Sequence, residues 1–122
     1  MKRLMITAAL LFLPLACGGD DADKLGIGAE CTSNDQCAEG QTCLTQFKGN
    51  YCGLASCAST ADCPGSSACV AHTDGNNYCF RTCTDKAQCN ANRSVANEAN
   101  CSSNITFASG QKEGKACVPP SN

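Results

Sequence analysis

Cysteine is the one residue with reactive chemistry that this chain carries in quantity, and its spacing narrows what the sulfur can do. Twelve of the thirteen cysteines fall into three consecutive sets of four. The first reads Cys31-x5-Cys37-x5-Cys43-x8-Cys52 and the second Cys57-x5-Cys63-x5-Cys69-x9-Cys79. The third, Cys83-x5-Cys89-x11-Cys101-x15-Cys117, keeps the opening interval and then lengthens. Thiols at this density serve disulfide bonding, metal binding or redox catalysis. Structural zinc sites use pairs of cysteines two residues apart, twice over, whereas the shortest gap here is three residues, from Cys79 to Cys83. Thiol redox enzymes commonly use an activated Cys-x-x-Cys pair, and none occurs. Disulfides remain, with no metal and no cofactor expected.

Other catalytic groups are scarce. His72 is the only histidine, beside Thr73 and Asp74 in an expected turn, and reads as a solvent-facing hairpin residue. No catalytic residue is assigned. Asp20, Asp21 and Asp23 lack the fixed ligand spacing and closing glutamate of a calcium loop.

The thirteenth cysteine, Cys17, stands apart. Before it come Lys2 and Arg3, then an uncharged apolar run from Leu4 to Leu15, too short for a comfortable membrane span and typical of a secretory signal. The stretch Leu13-Pro14-Leu15-Ala16-Cys17 resembles the lipobox of bacterial lipoproteins, departing from it at Pro14, where leucine is usual. The resemblance implies a signal peptide over 1–16, cleavage before Cys17, and a diacylglycerol on its sulfur. The arithmetic agrees: thirteen thiols cannot all pair in an exported protein, and giving Cys17 to lipid leaves twelve. Two or more acyl chains anchor stably where one does not. In that family Asp directly after the cysteine marks retention at the inner membrane; Gly18 here implies the outer one. Asn92-Arg93-Ser94 and Asn104-Ile105-Thr106 match the glycosylation pattern, but a bacterial lipoprotein would leave them bare.

Composition sets the rest of the frame. The 106 residues after the signal carry every cysteine, no tryptophan, and five aromatics: Phe47, Tyr51, Tyr78, Phe80 and Phe107. A chain so poor in core residues is expected to rely on covalent staples, each worth about 3 kcal/mol for a loop of a dozen residues in the chain-entropy model. Losing Lys2 and Arg3 leaves seven basic residues against eleven acidic, a net charge of −4, with the basic ones scattered. That excludes a nucleic-acid footprint and electrostatic membrane binding. Residues 17–30, rich in Gly and Asp, read as the lipidated cysteine and a flexible tether, about 20 Å long on average.

The elements that must position the sulfurs follow from each set. Three tandem four-cysteine modules are expected over 31–52, 57–79 and 83–117, the last expanded, as terminal repeats often are. Ser or Thr follows each first cysteine: Thr32-Ser33, Ser59-Thr60 and Thr84. With Gln36 and Asp62 three residues after Ser33 and Ser59, these signal single helical turns. The third and fourth cysteines then bracket a hairpin. Lys48-Gly49 and a two-residue Asp74-Gly75 turn close the first two hairpins, and a longer turn around 109–114 closes the third. A short helix is expected within 94–100. Tyr51 and Tyr78, each just before a fourth cysteine, read as rings covering a disulfide and the hairpin face. The fold class is thus small and disulfide-rich, with short β-hairpins, single helical turns and little regular structure.

Four cysteines allow three pairings, and the sequence does not choose among them. First-to-third with second-to-fourth is favoured because it pins helical turn to hairpin twice. It gives Cys31–Cys43, Cys37–Cys52, Cys57–Cys69, Cys63–Cys79, Cys83–Cys101 and Cys89–Cys117. The stretch 57–69 resembles the openings of EGF-like, whey-acidic-protein and Dickkopf-type modules. In general character the chain is similar to the small cysteine-rich lipoproteins of gliding, predatory soil bacteria, some of which assist motility or exchange of outer-membrane proteins. That resemblance implies a non-enzymatic envelope protein, held to the membrane through lipid on Cys17. It would act by contact with a protein partner, as an accessory of a motility or envelope complex. The alternative is a secreted-type protease inhibitor presenting the His72–Tyr78 hairpin.

Overall fold

A computed structural model of the chain describes residues 26–109 and 114–122. Cys17, the expected signal over 1–16, residues 18–25 of the tether and most of the 109–114 turn lie outside the described residues. The described chain is small, disulfide-rich and built mainly from short antiparallel strands. These are β1 (Thr42–Leu44), β2 (Tyr51–Ala55), β3 (Ser67–Ala71), β4 (Asn77–Cys83), β5 (Asn100–Ser102), β6 (Thr106–Phe107) and β7 (Lys115–Val118). Single 3-10 turns occupy Asn34–Gln36, Thr60–Asp62 and Val95–Asn97, and a four-residue α-helix spans Lys86–Cys89. Among the described residues no helix is long and apolar enough to cross a membrane.

Strand β4 connects the three modules. Its sequence, NYCFRTC, alternates so that Tyr78 and Phe80 share one face and Cys79 and Arg81 the other. All four are buried, as a strand covered on both sides requires. Along one edge β4 pairs with β3, from Ala71↔Asn77 to Ser67↔Arg81. Elsewhere it pairs with β2 of the first module (Leu54↔Cys79, Ala55↔Tyr78) and with β7 of the third (Thr82↔Ala116, Cys83↔Lys115). One strand therefore hydrogen-bonds to all three modules.

The core is shared as well. Ile27, Leu44, Phe47, Tyr51, Val70, Tyr78, Phe80 and Ala116 form one buried cluster, with Phe107 packed against it. All five aromatics downstream of Cys17 thus converge on one place. Phe47 lies at its centre, 5.1 to 5.9 Å from the rings of Tyr51, His72, Tyr78 and Phe80, each in edge-to-face geometry. Such aromatic pairs add about 0.5–1.5 kcal/mol each beyond the area they bury. Phe47 reaches the centre from a loop held by the chain's end. Lys48 N donates to Pro120 O at 2.8 Å, and Asn122 Nδ2 donates to Thr45 O at 2.6 Å and Phe47 O at 3.0 Å.

Several expectations are corrected. Tyr51 and Tyr78 do not cover disulfides; they fill the common core, while the sulfurs collect in three separate clusters. The reason is alternation: the fourth cysteine points to one face and the tyrosine before it to the other. The tether ends earlier than composition suggests. Ile27 is fully buried, and Gly28 N and Cys52 N exchange bonds with Cys52 O and Ala29 O at 2.9 and 3.0 Å. The second hairpin turns through Thr73-Asp74-Gly75 rather than Asp74-Gly75 alone. His72 N donates to Asn76 O at 2.9 Å and Gly75 N to His72 O at 3.1 Å. Gly75 takes φ +89°, the left-handed position of a three-residue hairpin loop. In the third module β5 and β7 pair, but the chain between them detours so that β6 joins β3, Val70 opposite Phe107. The helix sought within 94–100 is one 3-10 turn, Val95–Asn97.

Candidate functional site

The chemistry-bearing residues are the twelve paired cysteines, and each module holds its four in the same way. The third and fourth cysteines stand directly opposite across an antiparallel pair: Cys43↔Cys52, Cys69↔Cys79 and Cys101↔Cys117. The first precedes the helical turn, and the second follows it in the first two modules and ends it in the third. Six disulfides join first to third and second to fourth in every module: Cys31–Cys43, Cys37–Cys52, Cys57–Cys69, Cys63–Cys79, Cys83–Cys101 and Cys89–Cys117. Cα–Cα separations of 5.3 to 6.0 Å fall at the most common value for disulfides. Cys52, Cys69, Cys79 and Cys117 are fully buried.

Hydrogen bonds repeat with the sulfurs. The N–H of the residue after each first cysteine is taken by a side chain four positions on. Thr32 N donates to Gln36 Oε1 at 2.7 Å, Ala58 N to Asp62 Oδ2 at 2.9 Å and Thr84 N to Gln88 Oε1 at 2.7 Å. In the third module Gln88 N also donates to Asp85 Oδ1 at 3.1 Å, completing a reciprocal cap. Asp85-x-x-Gln88 was legible as that signal but escapes a search confined to Ser and Thr. Ser33, expected as a cap, makes no side-chain capping bond. A further repeat is the triplet Asn-Tyr-Cys: Asn50 Nδ2 and Asn77 Nδ2 donate to the carbonyls of Cys31 and Cys57, both at 2.9 Å. The backbone of the first cysteine is thereby fixed independently of its disulfide.

Arg93, unremarked in the sequence beyond its place in a glycosylation pattern, joins first and third modules. It is 8% exposed. Its Nε donates to Asn97 O at 2.7 Å, Nη1 to Asn50 O at 2.8 Å and Gly28 O at 3.2 Å, and Nη2 to Lys48 O at 2.6 Å. Beside it Glu30 accepts from Ser94 N at 2.6 Å and Ser94 Oγ at 2.7 Å. Desolvation works to raise the Glu30 carboxyl, but the bonds from Ser94 and Asn97 and the charge of Arg93 outweigh it and hold it below its usual range. Tyr51 closes the same junction. Its hydroxyl donates to Cys117 O and accepts from Arg81 N, both at 3.2 Å. Complete burial pushes its phenol up to about 12.

His72 is half-buried rather than solvent-facing, its ring 5.4 Å from Phe47 and 5.8 Å from Tyr78. The short loop leaves the strand-end imidazole lying on the aromatic cluster. Its Nε2 is 3.5 Å from Ser121 Oγ, at the outer limit of hydrogen bonding. The Asp74 carboxylate is engaged elsewhere, accepting from Tyr78 Oη at 2.7 Å and Asn76 N at 2.9 Å. An acid oriented on the histidine, as nucleophilic hydrolysis uses, is not assembled there. His72 also lines a cleft together with the apolar Val70, Ile105 and Val118 and the polar Ser102, Asn104 and Thr106. Among the described residues its lining carries no Asp, Glu, Lys or Arg.

Comparison with protein families, with curated proteins and with solved structures finds no match to this chain.

Proposed function

We propose that this protein is a lipid-anchored, disulfide-stapled component of a bacterial cell envelope that works by protein–protein contact, not catalysis. The observation that supports it most is the cysteine balance. Every cysteine from Cys31 to Cys117 is taken in one of six intramodule bonds, which leaves Cys17 as the only one without a partner of its own kind. That residue follows the stretch resembling a lipobox. Disulfides on this scale also suit an oxidising compartment. In this reading Cys17 carries the acyl chains and residues 18–25 connect the anchor to the folded part. The outer membrane is the address that Gly18 favours. The three modules present their loops and the uncharged cleft to an envelope or motility partner.

The test is the fate of a Cys17→Ala variant expressed in a Gram-negative host that processes lipoproteins. The native chain is expected in the membrane fraction, and the variant as a soluble or uncleaved species that takes up no labelled fatty acid. Equal fractionation and equal labelling of the two would refute the anchor.

A further inference from the structure

We propose that the outer edge of β1, in the first module, docks an extended segment of a protein partner that carries an apolar residue, then a small one, then Ser or Thr. Such docking rests on the reading above that the protein works by contact. The second module supplies the pattern, because there the chain itself fills the equivalent edge. β6 lies antiparallel on β3, with Phe107 opposite Val70 and Thr106 opposite Ala71. Just beyond, Ala108 N donates to Cys69 O at 2.8 Å, Thr60 N to Ser109 O at 3.1 Å and Ser109 Oγ to Ala58 O at 3.2 Å. Cys69 N takes no part in this pairing; it donates to Thr60 Oγ1 at 3.3 Å.

The first module builds the same edge and leaves it open. Counted from the first cysteine, Asn34 holds the place of Thr60, and its Oδ1 accepts from Cys43 N at 2.9 Å. Cys52 N and O turn to Ala29 and Gly28, so the facing pair Cys43↔Cys52 exchanges no bonds and Cys43 O points outward. Among the described residues nothing donates to Cys43 O or accepts from Asn34 N. Ser33, Asn34 and Thr45 are exposed. The chain's end reaches the next carbonyl on this side: Asn122 Nδ2 donates to Thr45 O at 2.6 Å, where the second module has Ala71 facing Thr106. An incoming strand would give one N–H to Cys43 O and, on its next residue, a carbonyl to Asn34 N. A hydroxyl on that next residue would meet Thr32 O, which holds the place of Ala58 O. The side chain before them would lie beside Leu44 as Phe107 lies beside Val70, which calls for an apolar residue. A second copy of β1 fits poorly, because Asn34 already takes Cys43 N. The third module lacks the pattern. Lys86 stands three residues after Cys83, its ammonium cannot accept from Cys101 N, and it pairs with Glu98 at 2.8 Å. Main-chain bonds at a sheet edge give affinity, and the alternate side chains give specificity.

The experiment adds the peptide Asn-Ile-Thr-Phe-Ala-Ser, the sequence of 104–109, at millimolar concentration to the oxidised, isotope-labelled full chain and follows its backbone amide resonances. Shifts are expected over 32–34 and 42–45, with slowed hydrogen exchange at Asn34 N. Methylating the peptide's alanine nitrogen removes the donor to Cys43 O and should weaken binding about tenfold or more. Methylating its phenylalanine nitrogen should change little, because that N–H faces away from β1. No shifts with millimolar peptide would overturn the proposal, as would alanine-methylated peptide that binds as well as the parent. Shifts centred on Ser59 and Thr60, or on 100–102, would overturn this edge while leaving a contact role standing. The lipid on Cys17 is decided by fractionation, so loss of the edge and loss of the anchor are told apart.

Discussion

The guanidinium carbon of Arg93 stands 5.7 Å from the centre of the Tyr51 ring. The two residues belong to the third and first modules, and their contact seals the place where those modules meet. Arg93 also donates to four backbone carbonyls, three of them outside its own module. Hydrogen bonds to a charged donor are worth about 1.5–3 kcal/mol, and stranding their buried acceptors adds cost. Arg93→Met should lower unfolding free energy by about 2–4 kcal/mol. Arg93→Lys should recover little of it, because an ammonium cannot reproduce the fork. Urea denaturation of the oxidised proteins measures both. A lysine variant as stable as the parent would show that geometry is immaterial at this position.

The shared core and the reach of β4 predict one cooperative transition. Modules that merely followed one another would melt separately, with a calorimetric enthalpy exceeding the van't Hoff value. Here Phe47, Tyr51, Val70, Tyr78 and Ala116 bring all three modules into one cluster. The two enthalpies should therefore agree. Breaking Cys63–Cys79 by a double alanine substitution should shift the whole transition downward rather than split off part of it.

Gly49 adopts φ +76°, and a β-carbon there would stand 2.7 Å from Asn97 Cβ. Gly49→Ala should cost about 1–2 kcal/mol from the left-handed backbone alone, with the clash in addition. Combining it with Asn97→Gly removes the clash but not the backbone cost. The double variant should thus be less destabilised than the sum of the two single changes, and strict additivity in thermal melts would contradict the contact.

Buried phenols bear on alkaline stability. Folding raises Tyr51 to about 12, through desolvation, and raises Tyr78 through desolvation and its bond to Asp74. A phenol whose folded value is raised contributes stability in full below its ordinary value of about 10, and that contribution is lost as pH rises toward 12. Absorbance near 295 nm should show tyrosine ionising only together with unfolding. Reversible titration of both tyrosines near pH 10, with structure intact, would disprove their burial.

Acid has the opposite partners. Hydrogen bonds from Ala58 and Ser59 lower Asp62. Glu30 and Asp74 are lowered although desolvation opposes it, through Ser94 and Arg93 in one case and Tyr78 and Asn76 in the other. Carboxyls depressed by folding stabilise above their ordinary value of about 4, and the benefit is lost as pH falls through the folded values. The urea midpoint should be lower at about pH 2.5 than at neutrality, and Asp62→Asn should flatten that difference. An unchanged midpoint would remove these carboxyls from the balance.

The repeat intervals showed the three four-cysteine modules openly, but the pairing inside each stayed one of three until the strand register placed third and fourth cysteines opposite one another. Helical turns and strand pairs were legible because their signals are local. The shared core was not. Phe47 sits in a loop without periodicity, and Ile27 lies in a stretch whose glycines suggest a linker; only the tertiary fold reveals that both are central. Arg93 escaped notice because a single arginine among asparagines and serines gives no pattern, and its carbonyl partners come from residues 28 to 97. The Asn-Tyr-Cys triplet was available, since comparing the first two modules residue by residue exposes the repeated asparagine.

One measurement bears most directly on how this chain is built and held: the intact mass of the protein extracted from membranes, without reduction. The predicted mass is that of residues 17–122 less twelve hydrogens, for six disulfides, plus diacylglycerol and, where the amine is acylated, a third chain. Reduction should then add twelve hydrogens and leave the lipid in place. A mass without lipid would contradict the anchor, and one that reveals free thiols before reduction would contradict the pairing.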